Sequence, residues 1–242
     1  MGSTRSPGKT LTEIYDGVSL LGLVCHRFRL CKNIDDVYVA TTIEPQDEAI
    51  AEWCTQNSIK SYRGSENDVL DRVVKTAKLA GADAIVQMGS DSAYLDFELI
   101  DQLVSLYRSG LYDYVCNDLE LTYPLGIYGH VVSVANLSEM NKNDSLTNQD
   151  REDVISFILK RQANYRVLNI TAPAQFAYPQ LRLTVDYPED IEQALYIYGR
   201  LKRLDFKTSD IINLYNREPE IFAKTMNLVQ KSAPFLKTMK GE

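Results

Sequence analysis

From Val18 to Asp118 the chain alternates between short apolar runs and amphipathic stretches, and this alternation limits its fold more than any other feature. VSLLGLVCHRFRL (18–30) carries apolar residues at helical spacing and a basic end, as the helix dipole favours. Val37 to Ala40 predicts a buried strand, and Pro45 opens a helix that turns Trp53 inward. IKSYRG (59–64) predicts a short strand, and ENDVLDRVVKTAKLAG (66–81) a helix closed by Gly81. DAIVQMGSD (83–91) predicts a strand running into a polar loop, followed by a helix that Asp96 caps and Gly110 ends. YDYVCND (112–118) is a strand again. Strands alternating with helices predict an α/β fold with a mostly parallel sheet covered by helices. Ligands of such sheets sit at the carboxyl ends of the strands, which singles out loops 41–47, 64–68, 89–96 and 117–130.

The second half is less regular. GHVVSVANLSEM (129–140) predicts a strand and a turn, and QDREDVISFILKRQ (149–162) a helix. LRLTVD (181–186) predicts a strand leading into the helix YPEDIEQALYIYGRLKRL (187–204). From Thr208 onward the residues predict helices packed on the outside. A net charge of −7 offers no general grip on nucleic acid or an anionic membrane, so an anionic ligand needs a local cluster of positive groups. Four cysteines without a C-x-x-C pair indicate neither a zinc site nor a disulfide framework. With no signal peptide and no long apolar run, the sequence is read as cytoplasmic.

Three constellations carry chemistry. In MGSTRSPGKT (1–10), Gly2 and Gly8 let backbone approach a ligand, and Arg5 and Lys9 flank Pro7. Backbone amides with a guanidinium and an ammonium suit a polyphosphate. The spacing is neither that of a P-loop nor that of a dinucleotide fingerprint, and a functionless polar leader is an equal reading. In QMGSDSAYLD (87–96), Asp91 follows a strand and a glycine, where a carboxylate suits Mg²⁺ as well as it suits a turn. In RLTVDYPED (182–190), Asp186 ends a strand and is the better ligand candidate, while Asp190, in a helix's first turn, is the better structural one. Two strand-end aspartates facing one positive loop describe a metal–triphosphate site.

These blocks together resemble the cytidylyltransferases that activate acidic sugars, and most closely the SpsF-like branch associated with spore coat polysaccharide biosynthesis. MGSTRSPGKTL looks like the family's GSxRxPGK nucleotide loop, YRGSENDVLDR its GSE-DDVLDR segment, and QMGSDSAYLD its TGDCPLID segment. DDVYVATT, DEAIAEW, YDYVCN, YPLG and LRLTVDYPEDIE complete an ordered series from residue 1 to about residue 200.

The resemblance implies a Rossmann-like, GT-A-like α/β/α nucleotidyltransferase domain over 1–205. It includes an acceptor-side or dimerisation insertion at about 119–180, and a helical extension follows over 206–242. It implies CMP transfer from CTP to a small anionic acceptor such as a sugar acid, with release of pyrophosphate, for surface polysaccharide. Mg²⁺ is the implied cofactor, a homodimer is compatible, and no nucleic acid or membrane partner is implied. Carried over by position, Gly2, Ser3, Arg5, Lys9, Ser65 and Asp91 bind the nucleotide, with Arg5 and Lys9 stabilising charge on the leaving pyrophosphate; Asp91 and Asp186 hold the metal.

Departures from the branch pattern fall on the acceptor side. Leu125, Tyr128 and His130 stand where acids are usual, Asp153 replaces a histidine, and Ser92-Ala93 replaces Cys-Pro. Tyr123, Tyr128 and His130 are therefore acceptor-side candidates, with packing as their alternative role. The departures leave two expectations: an altered acceptor, or a degenerate nucleotide-binding or assembly protein without turnover. The apolar strand that precedes the opening loop in the family has no counterpart from Met1 onward. The expectation is that about ten further residues lie upstream and that activity is impaired without them.

Overall fold

In the computed structural model, which describes residues 8–152, 158 and 164–228, Asp16 and Gly17 both take positive φ and turn a small hairpin. Its strands are β1 (Glu13–Tyr15) and β2 (Val18–Ser19). The first helix therefore begins two residues later than the apolar pattern suggests, at α1 (Leu20–Arg29), because the Ser19 hydroxyl accepts from Gly22 N and caps it. β3 (Tyr38–Thr42), α2 (Glu48–Gln56), β4 (Lys60–Gly64), α3 (Val69–Ala80) and β5 (Ala84–Gln87) follow as the alternation predicts. Gly81 closes α3 at φ +66°, and Asp96 accepts from Glu98 N and Leu99 N to cap α4 (Phe97–Arg108).

β6 (Tyr114–Cys116), β7 (His130–Ser133), α5 (Val134–Asn141), α6 (Asn148–Glu152) and β8 (Val167–Asn169) come next. α7 (Pro188–Leu201), α8 (Thr208–Arg217) and α9 (Ala223–Met226) complete the described elements.

β3 and β4 pair in parallel, and a separate sheet has the order β5-β7-β6-β8. In that sheet β5, β6 and β8 run one way and β7 runs against them. Alternate residues serve opposite faces, as the pleat requires. Val115 and Val131 join the core formed with α1, α4, α7 and α8, whereas Tyr114, Cys116 and Val132 join the one formed with α3 and α5. The architecture is thus a helix–sheet–helix sandwich.

Three expectations need correction, the first being the turn expected after β7, where Ser133 Oγ accepts from Asn136 N and caps the helix α5 instead. LRLTVD is not a strand of either sheet. Residues 181–186 are all buried, but they make a single bridge, Leu125 to Arg182, flanked by Leu125 N→Leu181 O and Leu183 N→Leu125 O. Its apolar alternation reflects burial on every side, not a ladder. Nor do the described residues after Thr208, which end at 228, lie outside: Ile211, Ile212, Leu214 and Phe222 belong to the main core together with Leu20 and Leu23.

Candidate functional site

The Lys9 side chain reaches across the molecule and gathers the strand-end carboxylates. Gly8 takes φ +77° and leads into a single turn, Lys9–Leu11, that buries Lys9 to 7% exposure. Its ammonium donates to Asp91 Oδ2 at 3.3 Å, Val185 O at 2.5 Å and Asp186 Oδ1 at 3.1 Å. Val185 N donates to Asp91 O, so the backbone ties the two aspartate segments together as well. The Asp186 side chain is 4% exposed and that of Asp91 is 32%, so Asp91 holds the open side of the pair.

Behind this pair lies a second buried charge group. Arg182 forms a two-pronged fork on Asp190, Nε to Oδ1 at 2.8 Å and Nη2 to Oδ2 at 2.9 Å, and Nη2 lies 3.5 Å from Asp186 Oδ2. Asp190 also accepts from Asp186 N and Tyr187 N, which fixes the start of α7. Burial lowers the Arg182 pKa, but the Asp190 and Asp186 carboxylates more than offset this, and the guanidinium is held above its ordinary value. Two cations among three carboxylates leave the cluster one net negative charge, a setting for a further cation. Sequence reasoning missed Arg182, although the signal was present: an arginine inside an apolar run must find a partner when that run is buried.

The loop after β5 turns tightly. A Cβ at Gly89 would lie 2.5 Å from Asp91 Oδ1, so a side chain there would displace the carboxylate. Gly126 explains the YPLG block: at φ +101°, its missing Cβ would sit 2.1 Å from Leu183 O, where the 125–127 loop crosses the segment carrying Asp186.

The acceptor-side candidates divide. The Tyr128 hydroxyl accepts from Ser92 Oγ at 3.2 Å and Gly89 N at 3.4 Å, which joins it to the Asp91 loop. Burial, and then the Asp91 charge, push the Tyr128 phenol up to about 12. The His130 ring meets Tyr128 edge-on at 5.3 Å, bonds Tyr114 Oη through Nδ1, and places Nε2 3.1 Å from Asp118 Oδ2. The other Asp118 oxygen, Oδ1, is buried with no hydrogen-bond partner among the described residues. Tyr114 and Asp118 were not anticipated, since only the β6–β7 register, Cys116 opposite His130, brings them to the histidine. Tyr123 lies instead in the main core at 6% exposure, the packing role.

Ser65 is exposed; its hydroxyl accepts from Asn67 N, and its carbonyl accepts from the Arg72 guanidinium. Gly2, Ser3, Arg5 and Asp153 lie outside the described residues. Among those described, no group of three or more His, Cys, Asp or Glu could hold a metal. The Asp91–Asp186 oxygen pair nevertheless suits Mg²⁺, which commonly takes one or two carboxylates and completes its shell with substrate phosphates and water. No helix of the described residues is long and apolar enough to cross a membrane.

The cytidylyltransferase family matches residues 1–225. The spore coat polysaccharide biosynthesis protein SpsF of Bacillus subtilis is 34% identical over 227 residues, covering 91% of this chain and 92% of that protein. An 8-amino-3,8-dideoxy-manno-octulosonate cytidylyltransferase of Shewanella pealeana is 31% identical over 115 residues, 43% of each chain. Among solved structures, a cytidylyltransferase from Leptospira borgpetersenii superposes with a TM-score of 0.86 at 25% identity, covering 96% of this chain and 95% of that one.

Proposed function

The chain belongs to the cytidylyltransferase family, and from that premise we propose that it transfers CMP from CTP to a small anionic acceptor of the sugar-acid class, with release of pyrophosphate. The observation that carries this reading is the Lys9 ammonium held between Asp91 and Asp186 at 3.3 and 3.1 Å. Such a transfer needs in-line positioning and neutralisation of charge more than covalent help from the protein. Lys9 is oriented for that task by three acceptors. Its longest contact is to Asp91, the most exposed of them, so a triphosphate oxygen arriving from the open side competes there first.

Asp91 and Asp186 would hold Mg²⁺, which when bound supplies neutralisation of the triphosphate's charge. Arg182 and Asp190 keep Asp186 in place from behind. On the acceptor side Tyr128 presents a neutral ring, and His130, oriented by Asp118 and Tyr114, offers an imidazole to an acceptor carboxylate or hydroxyl. The sugar-acid class is supported by the similarity to the octulosonate cytidylyltransferase, and a surface-polysaccharide role by the similarity to SpsF.

The test is pyrophosphate release from CTP and Mg²⁺ against a panel of sugar acids, neutral sugars and phosphonates, with ATP and GTP as competing donors. Release that requires CTP and a carboxylate-bearing acceptor supports the reading. Turnover with another nucleotide, or with neutral sugars alone, overturns it.

A further inference from the structure

Between α1 and α2 lies a cleft of about 200 Å³ that none of Lys9, Asp91, Asp186, Tyr128 and His130 lines. Gly22, Cys25, His26 and Arg29 border it from α1, at the three- and four-residue spacing that sets them on one stripe. Trp53 and Asn57, four residues apart, border it from the end of α2. The indole reaches α1 because that position is bare: a Cβ at Gly22 would lie 3.3 Å from Trp53 Cζ2. Cys25 and Ile59 are buried beneath, His26 and Trp53 are half-buried, and Arg29 and Asn57 are exposed at the rim.

The cleft is marked by unused hydrogen-bonding groups. Among the described residues, neither ring nitrogen of His26 makes a hydrogen bond, Arg29 makes no hydrogen bond or ion pair, and the Trp53 indole N–H donates to nothing. Asn57 donates Nδ2 to Trp53 O and has its side-chain oxygen to spare. No aspartate or glutamate lines the cleft. The charges that reach His26 are those of Arg27, Asp205 and Arg29; burial and then Arg27 hold its pKa below the ordinary value, and Asp205, 3.9 Å from Arg203, offsets this only in part.

Such a lining selects its ligand by chemistry. A guanidinium with an imidazole beside it suits a carboxylate, which accepts from both and finds no competing anion. An indole wall takes the face or edge of a ring. The volume equals that of about seven waters, below the roughly 300–1,000 Å³ of sites for larger ligands, so one ring and one charged group fill it.

We propose that this cleft is a second ligand site, separate from the candidate active site, for a small aromatic carboxylate whose ring lies against Trp53 and whose carboxylate is held by Arg29 and His26.

The chain carries its own reporters, because Trp53 is its one tryptophan and His26 and His130 are its two histidines. Benzoate and its neutral counterpart benzamide are titrated into the 242-residue protein, read by tryptophan fluorescence and by the histidine ring signals in NMR. Benzoate is expected to change the fluorescence saturably and to bind about tenfold more tightly than benzamide, the difference a charge-assisted hydrogen bond makes. It should move the His26 signal and raise the His26 pKa while His130 stays in place. Arg29→Gln should weaken benzoate about tenfold and leave benzamide and Tm as they were, since Arg29 is exposed and holds no partner among the described residues. If that variant is unstable, His26→Gln, read through Trp53, carries the same test. The proposal is overturned by the lack of a saturable response, by equal affinity for benzoate and benzamide, or by benzoate binding that both variants leave intact. An equal response to inorganic phosphate overturns it too, since the ring would then do nothing. So does benzoate that moves His130 in place of His26, which would put the anion in the candidate active site instead.

Discussion

Around Lys9 one wall of the candidate site is built from full charges: an ammonium and a guanidinium against three carboxylates, nearly all buried, bonded in a continuous chain from Asp91 to Asp190. Around His130 a second wall is built mainly from uncharged polar groups, two phenols, a serine hydroxyl and a backbone amide beside the imidazole, with Asp118 as the only carboxylate in direct contact among the described residues. Under the proposed function the first wall would serve a triphosphate donor, because charge and oxygen ligands are what it offers. The second would distinguish acceptors, since phenols and an imidazole recognise shape and a hydrogen-bond pattern. Of the departures from the SpsF-like pattern, Leu125 lies in the loop leading to the second wall, and Tyr128 and His130 belong to the wall itself.

The sharpest way to break the charged wall is Arg182→Met. Removing one partner of a buried ion pair leaves the other uncompensated and costs about 3–5 kcal/mol. Urea denaturation should show that loss, with Arg182→Lys falling between the two because an ammonium cannot reproduce the fork on Asp190. A cost below about 1 kcal/mol would mean that the pair is no better than a surface one.

Asp91→Asn comes next and separates chemistry from stability. Asp91 lies outside the Arg182 fork and is the partly exposed member of the pair, so the fold should survive. The rate of pyrophosphate release should fall about 10²- to 10³-fold, as when other preorganised charges are removed. A drop under tenfold would remove Asp91 from the phosphate wall.

How far these walls could be read from sequence depended on how local their causes were. The Asp96 cap, the Gly81 terminator and the Pro188 helix start were legible, because each is set by residues within one turn. Lys9, Asp91 and Asp186 were named from strand ends and family blocks, but nothing in their spacing could show that one ammonium spans 82 and 177 residues to reach both carboxylates. LRLTVD read as a strand because period-two apolarity marks burial, and a segment wedged between loops is buried in the same way. The Asp16-Gly17 hairpin carried a plain turn signal that the stronger helical periodicity after it obscured. Tyr114 and Asp118 reach His130 only through antiparallel register, which a single sequence does not encode visibly.

The second wall should yield smaller effects. His130→Gln keeps a hydrogen-bonding side chain but loses the imidazole that Asp118 and Tyr114 orient. The acceptor KM should rise ~10-fold, equivalent to ~1.4 kcal/mol, while the KM for CTP stays level. If the CTP term moves instead, His130 belongs to the nucleotide wall and the contrast between the two sides fails.

The smallest expected effect concerns the protonation of Tyr128. Burial, then the Asp91 charge, holds its phenol up to about 12, above the usual tyrosine value near 10. A group whose folded pKa is raised binds its proton more tightly in the native state. Its contribution to stability is therefore complete below pH ~10 and is lost as pH climbs from there toward 12. Tyr94 and Tyr198, raised by burial as well, share this alkaline limb, so Tyr128→Phe should flatten it in part rather than abolish it. At neutral pH the same variant loses only the hydrogen bonds that its oxygen accepts from Ser92 and Gly89, about 1 kcal/mol. Urea midpoints measured from pH 7 to 11.5 would show the difference. Parallel curves for the two proteins would mean that the phenol ionises as it does in water, and that the second wall is open to solvent rather than closed around a neutral ring.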